Sequence, residues 1–169
     1  MSNFNDPITR IEWRQCKDLK ANDYNPNVCM GQEFKLLEFS ILKNGWIQPI
    51  LINRNNMIID GFHRWTLAQK SELIFTQYKG QVPCVVMDID DAKAMLLTVR
   101  INRSKGTHVA YRMSEMVRKL VDDFDYEFDE IQNEIGAYKG EVELLYKDGV
   151  FKRKNIEKYK YSEAWEPRK

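Results

Sequence analysis

The sequence has no apolar run approaching the roughly 18 residues that cross a bilayer. Its start, MSNFNDPITR, lacks a basic stretch followed by an apolar one. A soluble, non-secreted, cytoplasmic chain with no membrane partner is the expectation. An excess of charge is also missing: 26 Lys and Arg against 25 Asp and Glu leave a net charge of +1, which excludes a polycation as a description of the whole chain. Any nucleic-acid contact must then come from local asymmetry. Cysteine is scarce and odd in number. Cys16, Cys29 and Cys84 show neither metal-type spacing nor a disulfide framework, which fits a reducing compartment. No metal site, internal repeat or low-complexity tract stands out. What the chain does have is 43% hydrophobic and 12% aromatic residues over 169 positions, enough for the core of one domain, or of a small domain with a helical extension.

The first thirty residues are polar and stack turn formers in ANDYNPN at 21–27, which predicts an extended lead-in ending in a loop and adding little core. From Gln32 to Asn44, Phe34, Leu37, Ile41 and Leu42 recur at helical spacing, and Gly45 comes next as a stop. Two short apolar runs, 49–52 and 57–59, flank Asn53-Arg54-Asn55-Asn56, whose Asn residues tolerate positive φ; this reads as a β-hairpin. Helical character returns from Arg64 to Lys70. Residues 82–87 form a strand with Pro83 near its start, and Asp90 to Asn102 a further helix. Beyond it, Met113 to Phe124, Phe128 to Ile135 and Glu141 to Tyr146 carry helical apolar spacing, the last two separated by a Gly-containing turn, as in a helix-turn-helix. The final twenty residues interleave Lys152, Arg153, Lys154, Lys158 and Lys160 with Tyr159, Tyr161 and Trp165.

Three segments carry candidate chemistry. In Asp60-Gly61-Phe62-His63-Arg64 a strand ends, Gly61 allows a tight turn and a helix begins, so His63 and Arg64 stand at a helix N-terminus, where phosphates bind. Arg64 could supply a bidentate fork, His63 a donor or an acid/base group, and Asp60 a metal ligand or a base. The plainer alternative has Asp60 capping the helix, His63 on the surface and Arg64 paired with a carboxylate. Asn102, Arg103, Ser104, Lys105, Thr107 and His108 form a cationic, hydroxyl-rich exit from a helix into a loop with Gly106, suited to wrapping phosphates or to lying solvated at the helix C-terminus. In Gly45-Trp46-Ile47-Gln48-Pro49-Ile50, a turn into a strand, Gln48 is a candidate ligand hydrogen-bonder.

Taken in order, LEFSILKNGWIQPI at 37–50, DGFHRWTLA at 60–68 and the Asn102-Arg103 loop resemble the three boxes of the ParB/sulfiredoxin superfamily, over residues 18–147. DYNPN, DGFHRW and the terminal Ser162 to Glu166 phrase resemble the IbrB-type ParB-like prophage co-activators. The resemblance implies an α+β fold: a mixed sheet with helices over 1–110, an all-α helix-turn-helix domain over 111–148, and a basic aromatic tail over 149–169. It also implies nucleoside triphosphate binding, of ATP or CTP with Mg²⁺ as an open companion, through Gln48, Gly61, Phe62, His63, Arg64 and the 102–108 loop. Phe62 stands where a sulfiredoxin carries its nucleophilic Cys, which excludes sulfinic acid reduction. Ile101 stands where CTP-using ParB proteins carry a metal-holding Glu.

Three function classes emerge, in descending order. The first is a nucleotide-binding, DNA-associated regulator, a transcription co-activator or partition-like binder, with DNA contacted by Lys139, Lys152, Arg153, Lys154, Lys158 and Lys160. An ATP-pyrophosphatase- or reductase-like protein partner and a homodimer accompany this reading. The second is a kinase, because the His63-Arg64 phrase is similar to the Asp-Gly-His-His-Arg turn of the superfamily's free serine kinases, with Asp60, His63 and Glu38 as catalytic candidates. A ParB-like nuclease ranks last, since no carboxylate cluster suits a two-metal site.

Overall fold

The computed structural model describes residues 5–22, 31–104, 110–138 and 140–147, with side chains from residue 33 in the first helix and from 113 in the fifth. The chain divides into two compact units, residues 1–107 and 108–169. The first is built on four strands, β1 Ile11–Gln15, β2 Ile50–Asn53, β3 Ile58–Asp60 and β4 Gln81–Met87, in the spatial order β1-β4-β2-β3. β4 runs antiparallel to β1 and parallel to β2, and β2 is antiparallel to β3, so the sheet is mixed. Helices α1 Gly31–Asn44, α2 Phe62–Lys70, α3 Glu72–Tyr78 and α4 Asp91–Ser104 accompany it. This is the α+β architecture expected. Ile50, Ile52, Ile58, Val82 and Cys84 bury completely or nearly so against Ile41, Leu67, Ala68 and Ile74, which covers one face of the sheet, and Ile59 and Val85, alternating with them along β3 and β4, are buried as well.

Local chemistry accounts for most element ends. Gly45 takes φ 77° and its N–H donates to Ile41 C=O at 2.9 Å, closing α1. The hairpin turns at Asn53–Asn56 with Asn56 at φ 63°. Asn53 is fully buried and organises that turn: its Oδ1 accepts the N–H groups of Asn55 and Met57, each at 2.9 Å, while its Nδ2 donates to Asp91 Oδ1 at 2.6 Å. One amide thus fixes the hairpin and ties it to the first turn of α4.

Two features depart from expectation. The polar lead-in contains β1, and its continuation places Cys16 and Leu19 in the core at 2% and 5% exposure. The strand is invisible as an alternation because it lies at the sheet's edge, with Ile11, Glu12 and Trp13 all exposed. Helix α3 is the second departure. Ser71 breaks the helical run with extended backbone and then caps α3, its Oγ accepting Ile74 N–H at 3.2 Å. The expected loop at 21–27 lies beyond the described residues after Asn22.

The β1–β4 ladder has a defined phase. Cys16 N–H donates to Gly80 C=O at 2.9 Å in the same register that sets Trp13 opposite Pro83. Bonded pairs therefore fall on Glu12, Arg14 and Cys16, and Pro83, which has no N–H, sits in a non-bonded pair. Ile11, Trp13 and Gln15 consequently turn their N–H and C=O groups away from β4.

The second unit contains α5 Ala110–Asp122, α6 Phe128–Ile135 and α7 Glu141–Tyr146. Met113, Met116, Val117 and Leu120 of α5 bury with Ile131 and Ile135 of α6 and Val142 and Leu145 of α7. Gly136 at φ 64° ends α6 and Gly140 at φ 80° opens α7. The buried Ser114 hydroxyl donates to Leu145 C=O, fastening α7 to α5. Among the described residues no helix is long and apolar enough to cross a membrane.

Asn53→Ala should lower unfolding free energy by about 2–4 kcal/mol in urea titration, because two backbone donors and Asp91 lose their partner in a buried setting. Burial pushes the Cys16 thiol up to about 11 and the Cys84 thiol up to about 12. Because the folded chain holds these protons longer than the unfolded one, their stabilisation is complete below the ordinary value of 9.0 and is lost as pH rises above it. Both thiols should stay silent to an aromatic disulfide reagent at neutral pH and react on denaturation.

Candidate functional site

The end of β3 and the start of β2 meet at the bottom of the sheet, where Leu51 pairs with Asp60. After Asp60 the chain turns through Gly61 at φ 96°, ψ 18° and enters α2 at Phe62. A Cβ at Gly61 would lie 3.2 Å from Ile50 Cα and 2.9 Å from the Arg64 Nη2 atom. Only glycine admits this approach, and it brings the guanidinium back over the turn. The first amide bonded within α2 is Trp65 N–H, to Gly61 C=O at 3.0 Å. The amides before it form the positive end of the helix.

Arg64 is held from three sides. It donates to Gln48 Oε1 at 2.9 Å, to Pro49 C=O at 3.2 Å and to Asp60 Oδ2 at 3.4 Å. Its side chain is 17% exposed, and Nε is buried without a hydrogen-bond partner. The structure thus brings Gln48, Asp60, Gly61 and Arg64 into one cluster. The cap of α2 is Gly61, and Asp60 is the carboxylate that pairs with Arg64, an i,i+4 spacing readable in the sequence. The Pro49 carbonyl joins them unannounced, since main-chain acceptors carry no sequence signal. His63 is half-buried beside two aromatic rings, Phe34 at 5.9 Å and Phe62 at 6.2 Å between centroids. Phe62 also packs on Trp65 at 5.4 Å.

Glu38 is placed differently. Its Oε1 accepts the Ser71 hydroxyl at 2.5 Å, so it supports the cap of α3 from α1. Asn102, Arg103 and Ser104 belong to the last turn of α4 rather than to a loop, with Ser104 Oγ donating to Ile101 C=O at 2.8 Å. That helix starts at the hairpin through Asp91 and passes β3 at Thr98, whose hydroxyl donates to Ile59 C=O at 3.2 Å. Asn102 comes one turn later, on the same helix face and toward the Gly61 end. Lys105, Thr107, His108, Lys139, Lys152, Arg153, Lys154, Lys158 and Lys160 lie outside the described residues. Among the described residues no group of three or more His, Cys, Asp or Glu could hold a metal ion.

Comparison with known proteins gives a consistent picture. The model of the ParB N-terminal domain matches residues 6–102. The uncharacterized protein YbdM of Escherichia coli K12 is 32% identical over 164 residues, 95% of this chain and 78% of its own length. The probable chromosome-partitioning protein ParB of Rickettsia typhi is 24% identical over 82% of this chain, and the chain spans 44% of that relative's length. Among solved structures, the C-terminally truncated chromosome-partitioning protein ParB from Caulobacter crescentus, complexed with CTP-gamma-S, aligns at 21% identity with a TM-score of 0.48, covering 79% of this chain and 74% of its own.

Gly61→Ala should cost about 1–3 kcal/mol in thermal or urea unfolding, because a Cβ there combines positive φ with a backbone clash at Ile50.

Proposed function

The chain belongs to the ParB N-terminal domain family, and from that premise we propose that it is a nucleotide-binding, DNA-associated regulator whose nucleotide phosphates rest on the Gly61–Arg64 turn. The observation that carries this reading is the guanidinium of Arg64. Three acceptors hold it over the glycine, at the positive end of α2, with Nε still unpartnered. A phosphate there meets a fork already oriented and main-chain amides already pointing outward, so little ordering entropy is lost on binding. Gln48 and Asp60 act as positioning residues for the fork. His63 and Phe62 supply an aromatic wall, and Asn102, Arg103 and Ser104 at the end of α4 contribute donors, with Lys105, Thr107 and His108 as the candidates the sequence adds beyond them. Either ATP or CTP suits a cradle that reads phosphates, with Mg²⁺ brought by the nucleotide.

DNA association is supported by the chromosome-partitioning names of the ParB relatives and by the sequence of the tail. Lys139, Lys152, Arg153, Lys154, Lys158 and Lys160 are the proposed phosphate contacts, releasing counterions on binding. Two helices joined by a glycine turn and packed under α5 suit a helix-turn-helix role in that unit. A co-activator role and an ATP-pyrophosphatase- or reductase-like partner rest on the sequence resemblance alone.

A kinase is the second reading, and the geometry weighs against it. Of its three catalytic candidates, the two carboxylates are engaged, Asp60 by Arg64 and Glu38 by Ser71.

Titration calorimetry with CTP and with ATP in Mg²⁺ should show one of them binding. Arg64→Ala should weaken that binding about tenfold or more, with Arg64→Lys intermediate. Binding unchanged in Arg64→Ala overturns the cradle. With γ-labelled nucleotide, label retained on nucleotide or released slowly as phosphate supports a binding regulator. Label appearing on an acceptor hydroxyl replaces it with the kinase.

A further inference from the structure

We propose that β1 is a self-pairing edge, through which two copies of the chain join antiparallel about a two-fold axis at Trp13 to make one continuous sheet. β1 is the outer strand of the order β1-β4-β2-β3, and no strand lies beside its outer side among the described residues. The phase of the β1–β4 ladder turns the N–H and C=O groups of Ile11, Trp13 and Gln15 outward. An edge with outward groups on alternate residues is a template for another strand.

The sequence of the strand selects its partner. Only registers that set outward residues opposite outward residues make bonds, so the paired residue numbers must differ by an even number. Centring on Trp13 pairs Ile11 with Gln15 of the other copy, Trp13 with Trp13 and Gln15 with Ile11, and engages the whole strand. The same register sets Glu12 opposite Arg14 and Arg14 opposite Glu12 in non-bonded pairs, where side chains come closest. Slipping by two residues one way opposes Glu12 to Glu12, and the other way Arg14 to Arg14. Charge therefore chooses the one register that also makes the most bonds, and a self-complementary strip of this kind is what a two-fold interface needs.

The side chains are placed for this exchange. Glu12 is 53% exposed and already accepts from Arg14 Nη2 at 2.9 Å, while Arg14 Nη1 is steadied by Asn56 Oδ1. The guanidinium thus keeps its position when the second copy's Glu12 arrives. On the opposite face Ile11 and Trp13 are 48% and 49% exposed, and the Trp13 ring lies flat on Tyr78 at 5.8 Å with an interplanar angle of 13°. That ring is rigid before pairing, so little ordering is required to bury it against its symmetry mate.

Sedimentation velocity of the full chain over a concentration series is the test, with circular dichroism melts to show that each variant folds. The wild type should dimerise. Glu12→Lys and Arg14→Glu should each weaken dimerisation roughly tenfold or more by opposing like charges. An equimolar mixture of the two variants should form a heterodimer, and the double swap Glu12→Arg with Arg14→Glu should restore self-association. A wild type monomeric to its highest soluble concentration overturns the proposal and leaves the edge to another partner. A dimer indifferent to both single reversals places the interface elsewhere, and a mixture that stays monomeric removes the charge register.

Discussion

At Gly61 the main chain passes so close to Ile50 that a Cβ would lie only 3.2 Å from its Cα, and the bottom of the first unit is arranged around that closeness. Because β3 can press against the start of β2 there, α2 begins directly beneath the sheet. Arg64, in its first turn, then folds back over the strand pair. The guanidinium fills space that any other residue at position 61 would take. The same contact seals the open end of the hairpin, whose turned end is closed by the buried Asn53 amide. Two small groups, one lacking a side chain and one buried amide, hold the two ends of β2 and β3.

Acidic groups around this region are mostly occupied in positioning. Asp60 braces Arg64, Glu38 braces the cap of α3, and Asp91 braces Asn53. Carboxylates bonded in this way orient a neighbour and lower the freedom of the helix that carries it. Each of these three carboxylates is thereby committed to holding a neighbouring group in place.

Much of this is readable in residue order because the signals are local. The hairpin announces itself through Asn53 and Asn56, the end of α1 through Gly45, and the strand-to-helix turn through Asp60-Gly61. What escapes is set by distant partners. β1 has no alternation of its own, since its pairing with β4 and not its burial makes it a strand. Helix α3 is hidden because Ser71 looks like one more polar residue until Glu38, far away in sequence, accepts its hydroxyl. At the site, Gln48 and Arg64 stand out singly in the sequence, and their hydrogen bond emerges only when the hairpin folds. The Pro49 carbonyl has no residue-level mark at all. Helix α4 runs past Asn102 to Ser104 because apolar spacing shows which face of a helix is buried, not at which residue its hydrogen bonding stops.

The long reach of the β1–β4 pairing has a kinetic side. Hairpin, α2 and α3 all form from near neighbours, whereas Ile11 must find Val85 across more than half the length of the unit. The loop-closure entropy of that search falls on a strand whose first three residues remain exposed and so return little on docking. β1 should therefore be the last strand to join the sheet and the first to leave it. Its amides should exchange through openings that leave the rest of the ladder closed. The edge of this sheet is in that sense a separate cooperative layer, joined to the rest where Cys16 and Leu19 enter the core.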